Sequence, residues 1–514
     1  MRFFNTAGPC KPDIHYMLPA STRLPELRTL IDQQAYFVIH APRQVGKTTM
    51  MLQLARELVA EGRFNAVVVT AEPASAFPDD TGAAELAALD GWSADAVLLP
   101  AELQPPPWPQ VEPGARVRHA LQAWAQASPR PLAVFIDEID SLQGDVLLSF
   151  LRQLRAGYPQ RPKGFPWSLA LIGLRDVRDY KIKSGGGERL TTASPFNIKL
   201  ESLTLGNFTA EEVSTLYRQH TAETGQVFTD EALQRAFELT QGQPWLVNAL
   251  ARQAVEFIAP DRRQPITPTI IDQAKERIIE RQETHLDSLV ERLREPRIRN
   301  IIEPMLSGKS LADLPADDLR FVLDLGLVKR PNGGGVMIAN PIYREVIPTM
   351  LAFVTRASLP QIAPTWLDPD GALNPAKLLD AFLKFWRQHG QPLLKSVHYH
   401  EIAPHIVLMA FLHRVVNSGG SLEREYAIGT RRMDVCVRYG QVTLGMELKV
   451  WRDGESDPLK EGLAQLDHYL DGLSLATGWL VIFDQRGGLP EINERTTTEV
   501  AATPSGRTVT VIRG

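Results

Sequence analysis

The sequence has little cysteine, no long apolar run and no excess of basic residues. Only Cys10 and Cys436 occur among 514 residues, far apart and without metal-ligand spacing, which argues against a disulfide framework or a zinc site. The 55 basic and 60 acidic residues give a net charge of −5, so nucleic-acid contacts would require local patches. No apolar segment approaches the roughly 20 residues that cross a bilayer, and the N-terminus has no apolar signal core. We therefore expect a cytoplasmic protein with no membrane partner.

The length of the chain predicts two to four domains, because one hydrophobic core rarely organises 514 residues. Apolar runs at 36–40, 66–70, 132–136 and 168–173 alternate with segments long enough for helices, a pattern typical of a parallel α/β sheet. The proline-rich stretch 100–113 is expected to be an exposed loop.

Later segments change character and suggest further domains. Amphipathic helices at 210–224 and 229–239, the second with Thr229 as N-cap, predict a helical lid. Two helices and a hairpin turn at 331–335 are the parts of a winged helix. The predicted domains are a P-loop core (1–207), a lid (208–295), a winged helix (296–354), a linker (355–372) and a C-terminal α/β domain (373–514).

The most specific motif directly follows the first predicted strand. Residues 41–48 read Ala-Pro-Arg-Gln-Val-Gly-Lys-Thr, the Walker A pattern with alanine at its first glycine, which is tolerable if Ala41 keeps a negative φ. The backbone N–H groups of such a loop wrap phosphates, Lys47 would reach the β and γ phosphates, and Thr48 would ligate Mg²⁺. The residues predicted to bind ATP here are Ala41, Pro42, Arg43, Gln44, Val45, Gly46, Lys47, Thr48 and Thr49.

Two further strand ends complete the predicted ATP site. The third apolar run ends in Asp137 and Glu138; Asp137 would hold Mg²⁺ through water, and Glu138 would polarise the attacking water. After the next run, Arg175 is a candidate γ-phosphate sensor, with Arg178 and Arg189 as alternative sensors or arginine fingers. Each of these arginines could also be a surface salt-bridge partner.

Five segments carry a family resemblance: His40–Thr48, Ser194-Pro-Phe-Asn197, Gln219-His-Thr, Gly242-Gln-Pro-Trp-Leu-Val-Asn248 and Ile338-Ala-Asn-Pro-Ile-Tyr-Arg-Glu345. In these segments, residues 1 to about 350 resemble the AAA-like ATPases of the archaeal ATPase and STAND-related branch. The resemblance implies a P-loop core, a lid and a winged helix, and homo-oligomers are expected because AAA-related sites are often completed by a neighbour's arginine. The turn at Gly242 could touch nucleotide or be a packing turn.

The last domain contains two predicted strands, 426–438 and 441–451. A turn at Tyr439 and Gly440 puts Asp434 opposite Glu447, and Lys449 shares the face of Glu447. Facing carboxylates make an oxygen site for Mg²⁺ or Mn²⁺, and the ammonium can stabilise a developing phosphorane charge. This is the chemistry of phosphodiester hydrolysis.

Flanking residues extend this pattern. Gln465 and Tyr469 lie four apart on a predicted helix at 459–473, hence on one face, and Glu401 begins or precedes another helix. The order Glu401, Asp434, Glu447-x-Lys449, Gln465-x-x-x-Tyr469 resembles the PD-(D/E)XK nuclease superfamily, in particular its branch with a Gln-x-x-x-Tyr helix, although no proline precedes Asp434. The resemblance implies a restriction-endonuclease-like α/β domain in which these residues are catalytic and Asp434 and Glu447 hold the metal.

Several neighbours of this pattern are ambiguous. Arg431, Arg432 and Arg438 could contact phosphates or be ordinary strand-edge charges. His398, His400 and His405 could line the site or pack at a helix start.

Together the patterns predict an α/β multidomain ATPase that controls a metal-dependent nuclease on the same chain. Its expected partners are ATP and nucleic acid, with DNA favoured over RNA, and defence against mobile elements would suit such a fusion by association. Two alternatives stay open: a STAND-like nucleotide switch with a non-cleaving C-terminal domain, and an ATP-regulated DNA-binding protein. The predicted recognition helix, 316–325, has an acidic sequence. This favours a role in packing against protein over one in binding DNA.

Overall fold

The computed structural model describes residues 1–175, 198–281, 289, 292–293, 295–306, 316–331, 334–351, 364–396, 403–416, 420–427 and 432–514. The chain forms two compact units, residues 1–278 with 324–326, and residues 279–323 with 327–514. Within the ranges described, every helix is too short or too polar to cross a bilayer.

The helices and strands of these ranges are numbered in chain order. The helices are α1 Ala20–Arg23, α2 Glu26–Asp32, α3 Lys47–Ala60, α4 Thr81–Ala96, α5 Arg116–Ala127, α6 Gly144–Gly157, α7 Ala210–Thr224, α8 Asp230–Thr240, α9 Pro244–Arg252, α10 Pro268–Arg281, α11 Pro296–Leu306, α12 Ala316–Asp324, α13 Pro341–Leu351, α14 Pro375–Ser396, α15 Ala403–Val416, α16 Leu459–Gly472 and α17 Ile492–Arg495. The strands are β1 Tyr36–His40, β2 Asn65–Thr70, β3 Leu132–Asp137, β4 Ser168–Gly173, β5 Glu201–Thr204, β6 Val328–Lys329, β7 Met337–Ile338, β8 Gly420–Ala427, β9 Arg432–Tyr439, β10 Val442–Trp451, β11 Gly478–Asp484, β12 Thr497–Ala502 and β13 Thr508–Arg513.

The first unit is built on a five-stranded sheet of order β2-β3-β4-β1-β5. All four ladders are parallel, which confirms the predicted sheet. Strands β1, β3 and β4 are almost completely buried, because helices cover both faces of a parallel sheet. Parallel strands end at one edge, so the residues after β1, β3 and β4 lie near one another.

Alternate residues of strand β1 pack into two separate hydrophobic cores, because successive side chains of a strand point to opposite faces of the sheet. Tyr36 and Val38 belong to a cluster that includes Trp92 of α4 and Trp124 of α5. Phe37 and Ile39 pack on the opposite face with the apolar residues of α2 and α3. The phosphate loop is therefore anchored by a strand that is fixed on both sides.

The lid helices follow the sheet in the first unit. Thr229 accepts a hydrogen bond from the backbone N–H of Ala232 and is the N-cap of α8, as predicted. Thr209 and Glu212 form a capping box at the start of α7. The last turns of α9 continue as a π-helix over Gln253–Ile258.

The second unit contains a six-stranded mixed sheet of order β12-β13-β11-β10-β9-β8. Strands β8, β9 and β10 form an antiparallel meander. Helix α16 crosses from β10 to β11, which run parallel, and its Leu466 and Leu470 pack on Leu480 and Ile482. The same unit contains α11, α12 (up to Leu323) and the antiparallel β6–β7 pair, with Val328 opposite Ile338, so the predicted parts of a winged helix are present.

Some predicted elements were wrong in detail. The proposed strand 426–438 is two strands, β8 and β9, which pair with each other. The proline-rich stretch is not simply an exposed loop, because Leu103 is buried and the Trp108 indole N–H donates to Leu89 O (3.0 Å) and Ser93 Oγ (2.8 Å). Neither β12 nor the helices α4 and α5 were predicted.

Candidate functional site

The phosphate loop joins β1 to α3 through two residues with left-handed backbone. Gln44 has φ 60° and Gly46, the N-cap of α3, has φ 95°. Glycine suits this conformation because a Cβ is disfavoured there. Ala41, by contrast, does not have a positive φ, so alanine fits the first motif position. The unpaired N–H groups of the first turn of α3 begin at this loop, where an anion is favoured.

Lys47 folds back over its own loop. Its Nζ donates to Ala41 O (2.8 Å) and Pro42 O (3.0 Å). Burial lowers the pKa of Lys47, and the carboxylates of Asp137, Asp140 and Glu138 oppose that shift. A phosphate in the loop offers this ammonium stronger, charged acceptors than the two carbonyl oxygens.

Thr48 and Asp137 meet at the predicted magnesium position. The Thr48 hydroxyl donates to Asp137 Oδ2 at 2.5 Å, and Asp137 is 4% exposed. Burial raises the pKa of Asp137, while hydrogen bonds from Thr48 and from the Glu138 backbone N–H lower it. A buried carboxylate beside a hydroxyl is a donor set that fits Mg²⁺, which prefers oxygen and keeps several waters.

Glu138 adopts a left-handed conformation (φ 54°) directly after β3. Its backbone N–H donates to Asp137 Oδ1 at 2.9 Å, which fixes the neighbouring carboxylate. Burial raises the pKa of Glu138, and the charges of Asp140 and Asp137 raise it further. Asp140, which was not predicted, accepts from the Leu174 N–H at 3.1 Å and ties the ends of β3 and β4 together.

Lys47, Thr48, Glu138 and Asp140 line one cavity of about 460 Å³ in the first unit, whereas Asp137 is not a lining residue. From the loop and α3 it receives Arg43, Gln44, Val45, Gly46, Lys47, Thr48, Thr49 and Met50, and from the strand ends Glu138, Asp140 and Leu174. Ala41 and Pro42 contribute their carbonyls to Lys47 and are not lining residues. Arg175 does not line the cavity either; its Nε donates to Asp324 Oδ2 at 2.7 Å. Its role as a sensor stays a prediction.

The N-terminal segment 1–18, here called the strap, forms a cavity wall that was not predicted. Phe4 is fully buried against Tyr217 and Phe228 of the lid. The Trp245 indole N–H donates to Thr6 O at 2.8 Å. Further along, the Cys10 N–H donates to Thr49 Oγ1 at 3.0 Å. The strap thus contacts both the lid and the helix that follows the phosphate loop.

The lid closes the rest of the cavity through the turn between α8 and α9. Gly242 (φ 71°) lies so close to Phe208 that a Cβ would be 1.8 Å from Phe208 O, and Phe208 N–H donates to Gly242 O at 2.8 Å. The turn is therefore a packing turn. It also positions Pro244, Trp245 and Asn248, which line the cavity.

In the second unit, Asp434 on β9 is paired in register with Glu447 on β10. Glu447 is 0% exposed, and among the residues described its carboxylate oxygens have no partner apart from the Lys449 ammonium. The Lys449 Nζ lies 2.9 Å from Glu447 Oε1. A buried carboxylate whose Oε2 is still available fits a cation ligand. Asp434 is described here by its backbone position.

Helix α16 places Gln465 next to Lys449. The Lys449 Nζ donates to Gln465 Oε1, and Gln465 Nε2 donates to Glu461 Oε1 at 3.1 Å. Tyr469 lies one turn later on α16. Among the described side chains, no three His, Cys, Asp or Glu residues converge as a metal-ligand group.

His405 packs at a helix start, in the first turn of α15, and lies near the charges of this cluster. It is buried in α15, and its ring contacts Phe483 edge-on. Burial, with the charges of Arg452 and Lys449, lowers its pKa to about 3, so the imidazole is neutral at physiological pH. Glu401, His398, His400, Arg431, Arg178, Arg189 and Ser194–Asn197 lie outside the described residues.

Solved structures of several other proteins are similar in fold to about two thirds of this chain. The Walker-type ATPase PABY2304 of Pyrococcus abyssi is 12% identical, covering 67% of this chain and 99% of that one, with a TM-score of 0.47. The RuvB Holliday junction branch migration motor of Thermotoga maritima is 15% identical over 64% and 93%, with a TM-score of 0.35. The Orc1 protein of Aeropyrum pernix, solved with DNA, is 17% identical over 67% and 96%, with a TM-score of 0.34. No family model and no curated protein matches the chain.

Proposed function

We propose that the first unit is an AAA-like ATPase. The contact that carries this proposal is the hydrogen bond between Thr48 and Asp137, at 2.5 Å. It joins the helix after the phosphate loop to the end of β3 beside a cavity that also contains Lys47 and Glu138. A hydroxyl and a carboxylate from two separate motifs meet there, as a magnesium–nucleotide site requires.

Each residue has a defined task in this proposal. The N–H groups at the start of α3 bind phosphate oxygens, and Lys47 exchanges the carbonyls of Ala41 and Pro42 for the β and γ phosphates. Thr48 and Asp137 would hold Mg²⁺, which supplies positive charge to the phosphate oxygens. Glu138 orients the attacking water and accepts its proton, a role that suits a carboxylate whose pKa is raised by burial.

We propose that the second unit is a divalent-metal-dependent phosphodiesterase of the PD-(D/E)XK type. The observation that supports it most is the buried Glu447 carboxylate, which among the described residues is partnered only by the Lys449 ammonium and lies opposite Asp434 in the ladder. The metal held by Asp434 and Glu447 would supply charge to the scissile phosphate. Lys449 stabilises negative charge on that phosphate, and Gln465 positions the ammonium.

In this proposal the nucleotide state of the first unit controls cleavage by the second. Nucleic acid, with DNA preferred over RNA, is the substrate. Roles for Glu401, Tyr469 and Arg175, homo-oligomers and a place in defence against mobile elements remain predictions.

A cleavage panel tests both halves. Wild-type protein is incubated with single-stranded DNA, double-stranded DNA or RNA, with Mg²⁺ or Mn²⁺, and with no nucleotide, ATP, ADP or a slowly hydrolysed ATP analogue. We expect metal-dependent cleavage that changes with nucleotide, loss of cleavage in Glu447→Ala, and loss of nucleotide dependence in Lys47→Ala. Glu499→Gln is the control, since this carboxylate is exposed on β12 and pairs with Arg513.

The results of the cleavage panel distinguish the proposed function from its alternatives. No cleavage by the wild type under any condition contradicts the nuclease and leaves a nucleotide switch with a non-cleaving domain. Cleavage that is unaffected by nucleotide contradicts the control, and unchanged ATP turnover in both Lys47→Ala and Glu138→Gln contradicts the ATPase site.

A further inference from the structure

Among the described residues that line the nucleotide cavity, one buried polar side-chain atom has no hydrogen-bond partner. Away from the phosphate loop, most polar side chains that line it are already engaged. Arg23 pairs with Glu212 at 3.4 Å, and the Tyr16 hydroxyl lies 3.3 Å from His220 Nδ1. Asn248 Oδ1 is different, because it has no hydrogen-bond partner in the part of the chain that the structure describes, although the residue is only 7% exposed.

The orientation of the Asn248 amide is fixed. Its Nδ2 donates to the carbonyl oxygen of Pro244, 2.8 Å away and one turn earlier in α9. A carbonyl oxygen can only accept, so the nitrogen must face Pro244 and the oxygen must be the atom left over. A buried acceptor without a donor destabilises the protein unless a ligand supplies the donor.

Asn248 lines the same cavity as the phosphate loop, on the side that the lid forms. With a triphosphate in the loop at Lys47, as proposed, the rest of the nucleotide would use the space between the strap and the lid. That space is lined mainly by apolar side chains, namely Met17, Leu18, Phe208, Leu216, Pro244 and Trp245. Such a pocket binds a flat ring by burial and selects it through few polar groups.

We infer that Asn248 is the base-reading residue of this site and that its Oδ1 accepts a hydrogen bond from the exocyclic amino group of adenine. Adenine has a donor at that position, whereas guanine and hypoxanthine have a carbonyl acceptor. A carbonyl oxygen of guanine or hypoxanthine facing Asn248 Oδ1 would leave both of these oxygens without a donor. The site therefore selects adenine nucleotides. The inference rests on the proposed nucleotide-binding function and adds the atom that determines specificity.

The test compares diphosphates, which remain intact during the measurement. Affinities of the full-length protein for ADP, purine riboside diphosphate, which lacks the amino group, and inosine diphosphate are measured by titration calorimetry with Mg²⁺. For the wild type we expect ADP to bind about tenfold tighter than purine riboside diphosphate and about a hundredfold tighter than inosine diphosphate. Because this comparison uses only the wild-type protein, it does not depend on whether any variant folds.

Two variants then assign the effect to one atom. Asn248→Ala should reduce the ADP preference over purine riboside diphosphate to within about twofold. Asn65→Ala is the matched control: Asn65 is also buried, its Nδ2 donates to Leu103 O at 2.8 Å and its Oδ1 has no partner among the described residues, but it does not line the cavity, so the preference should remain.

Three results would overturn the inference. They are a wild type that binds ADP and purine riboside diphosphate equally, an Asn248→Ala variant that keeps the tenfold preference, and an Asn65→Ala variant that loses it. The first two leave the ATP site itself intact. A wild type that binds none of the three nucleotides contradicts the proposed nucleotide site and this inference with it.

Discussion

Glu138 differs from Asp137 in what surrounds its carboxylate. Asp137 is held by Thr48 and by a backbone N–H, whereas Glu138 lines the cavity next to Asp140. Glu138→Gln keeps the size of the side chain but cannot accept a proton from water. We expect ADP affinity to stay within about threefold and the kcat of ATP hydrolysis to fall by about 10²- to 10³-fold, as measured by titration calorimetry and phosphate release.

The control for this variant is Glu61→Gln, which removes an exposed carboxylate at the end of α3 that pairs with Arg28 at 2.6 Å. It should leave both quantities unchanged, because exposed ion pairs contribute about 0–1 kcal/mol. A Glu138→Gln variant that turns over ATP at the wild-type rate would assign water activation to another residue.

The Glu447–Lys449 pair is buried, so each charge depends on the other. Lys449→Met leaves a buried carboxylate without its cation, which we expect to lower the free energy of unfolding of the second unit by about 3–5 kcal/mol. A divalent cation can replace the lost charge. Mn²⁺ should therefore raise the melting temperature of Lys449→Met more than that of the wild type, and should not raise that of Glu447→Gln.

Calorimetric melting with and without Mn²⁺ measures these shifts, and Glu499→Gln serves as the control. An equal Mn²⁺ shift in Glu447→Gln and the wild type would show that Mn²⁺ binds elsewhere in the protein.

At the residue scale, the sequence indicated which motif residues the structure brings together, but not which residues form the cavity walls. Lys47, Thr48, Asp137 and Glu138 follow from short-range spacing next to apolar runs, and they converge because parallel strands end at one edge. The strap carries no such signal, and the segment that ends in Asn248 was noted only for its family resemblance and its turn. They reach the cavity through tertiary contacts such as Trp245 to Thr6, which span more than two hundred residues.

Among the elements, regular helices and buried strands were predictable because their apolar periodicity is long. Helix α7 spans 210–224 as predicted, and β4 spans 168–173. The meander of the second unit was not predicted correctly, because the sequence pattern merged β8 and β9 into one strand. Strand β12 is largely exposed, so no apolar alternation marks it.

The turn between α8 and α9 allows a direct test of element packing. In Gly242→Ala the new Cβ would lie 1.8 Å from Phe208 O, so the hydrogen bond from Phe208 to Gly242 must break. We expect a stability loss of about 3 kcal/mol or more and weaker ADP binding, because the same turn positions Trp245 and Asn248. Thermal unfolding and titration calorimetry measure both effects.

Gly225 is the matched control for that variant. It also has a left-handed backbone, with φ 77°, but a Cβ there meets nothing within 4 Å. Gly225→Ala should therefore cost only about 1 kcal/mol and leave ADP affinity unchanged. Equal losses in the two alanine variants would mean that backbone strain, and not the contact with Phe208, determines the effect.

For the whole molecule, control of one unit by the other must obey linkage. If a bound ATP analogue changes the affinity for DNA by some factor, DNA must change the affinity for the analogue by the same factor. The doubly substituted protein Glu138→Gln, Glu447→Gln suits the measurement, because neither ligand is consumed. We expect a factor of about 5 to 150, the usual range of such coupling.

Both affinities are measured by fluorescence anisotropy, each with the other ligand absent and saturating. The Lys47→Ala version of the same protein is the control and should bind DNA equally with and without the analogue. Equal factors above one would establish coupling of the two binding sites, since two independent sites give a factor of one in both directions. A factor of one would restrict any influence of ATP to the cleavage step, where reciprocity does not apply, and would contradict control through affinity.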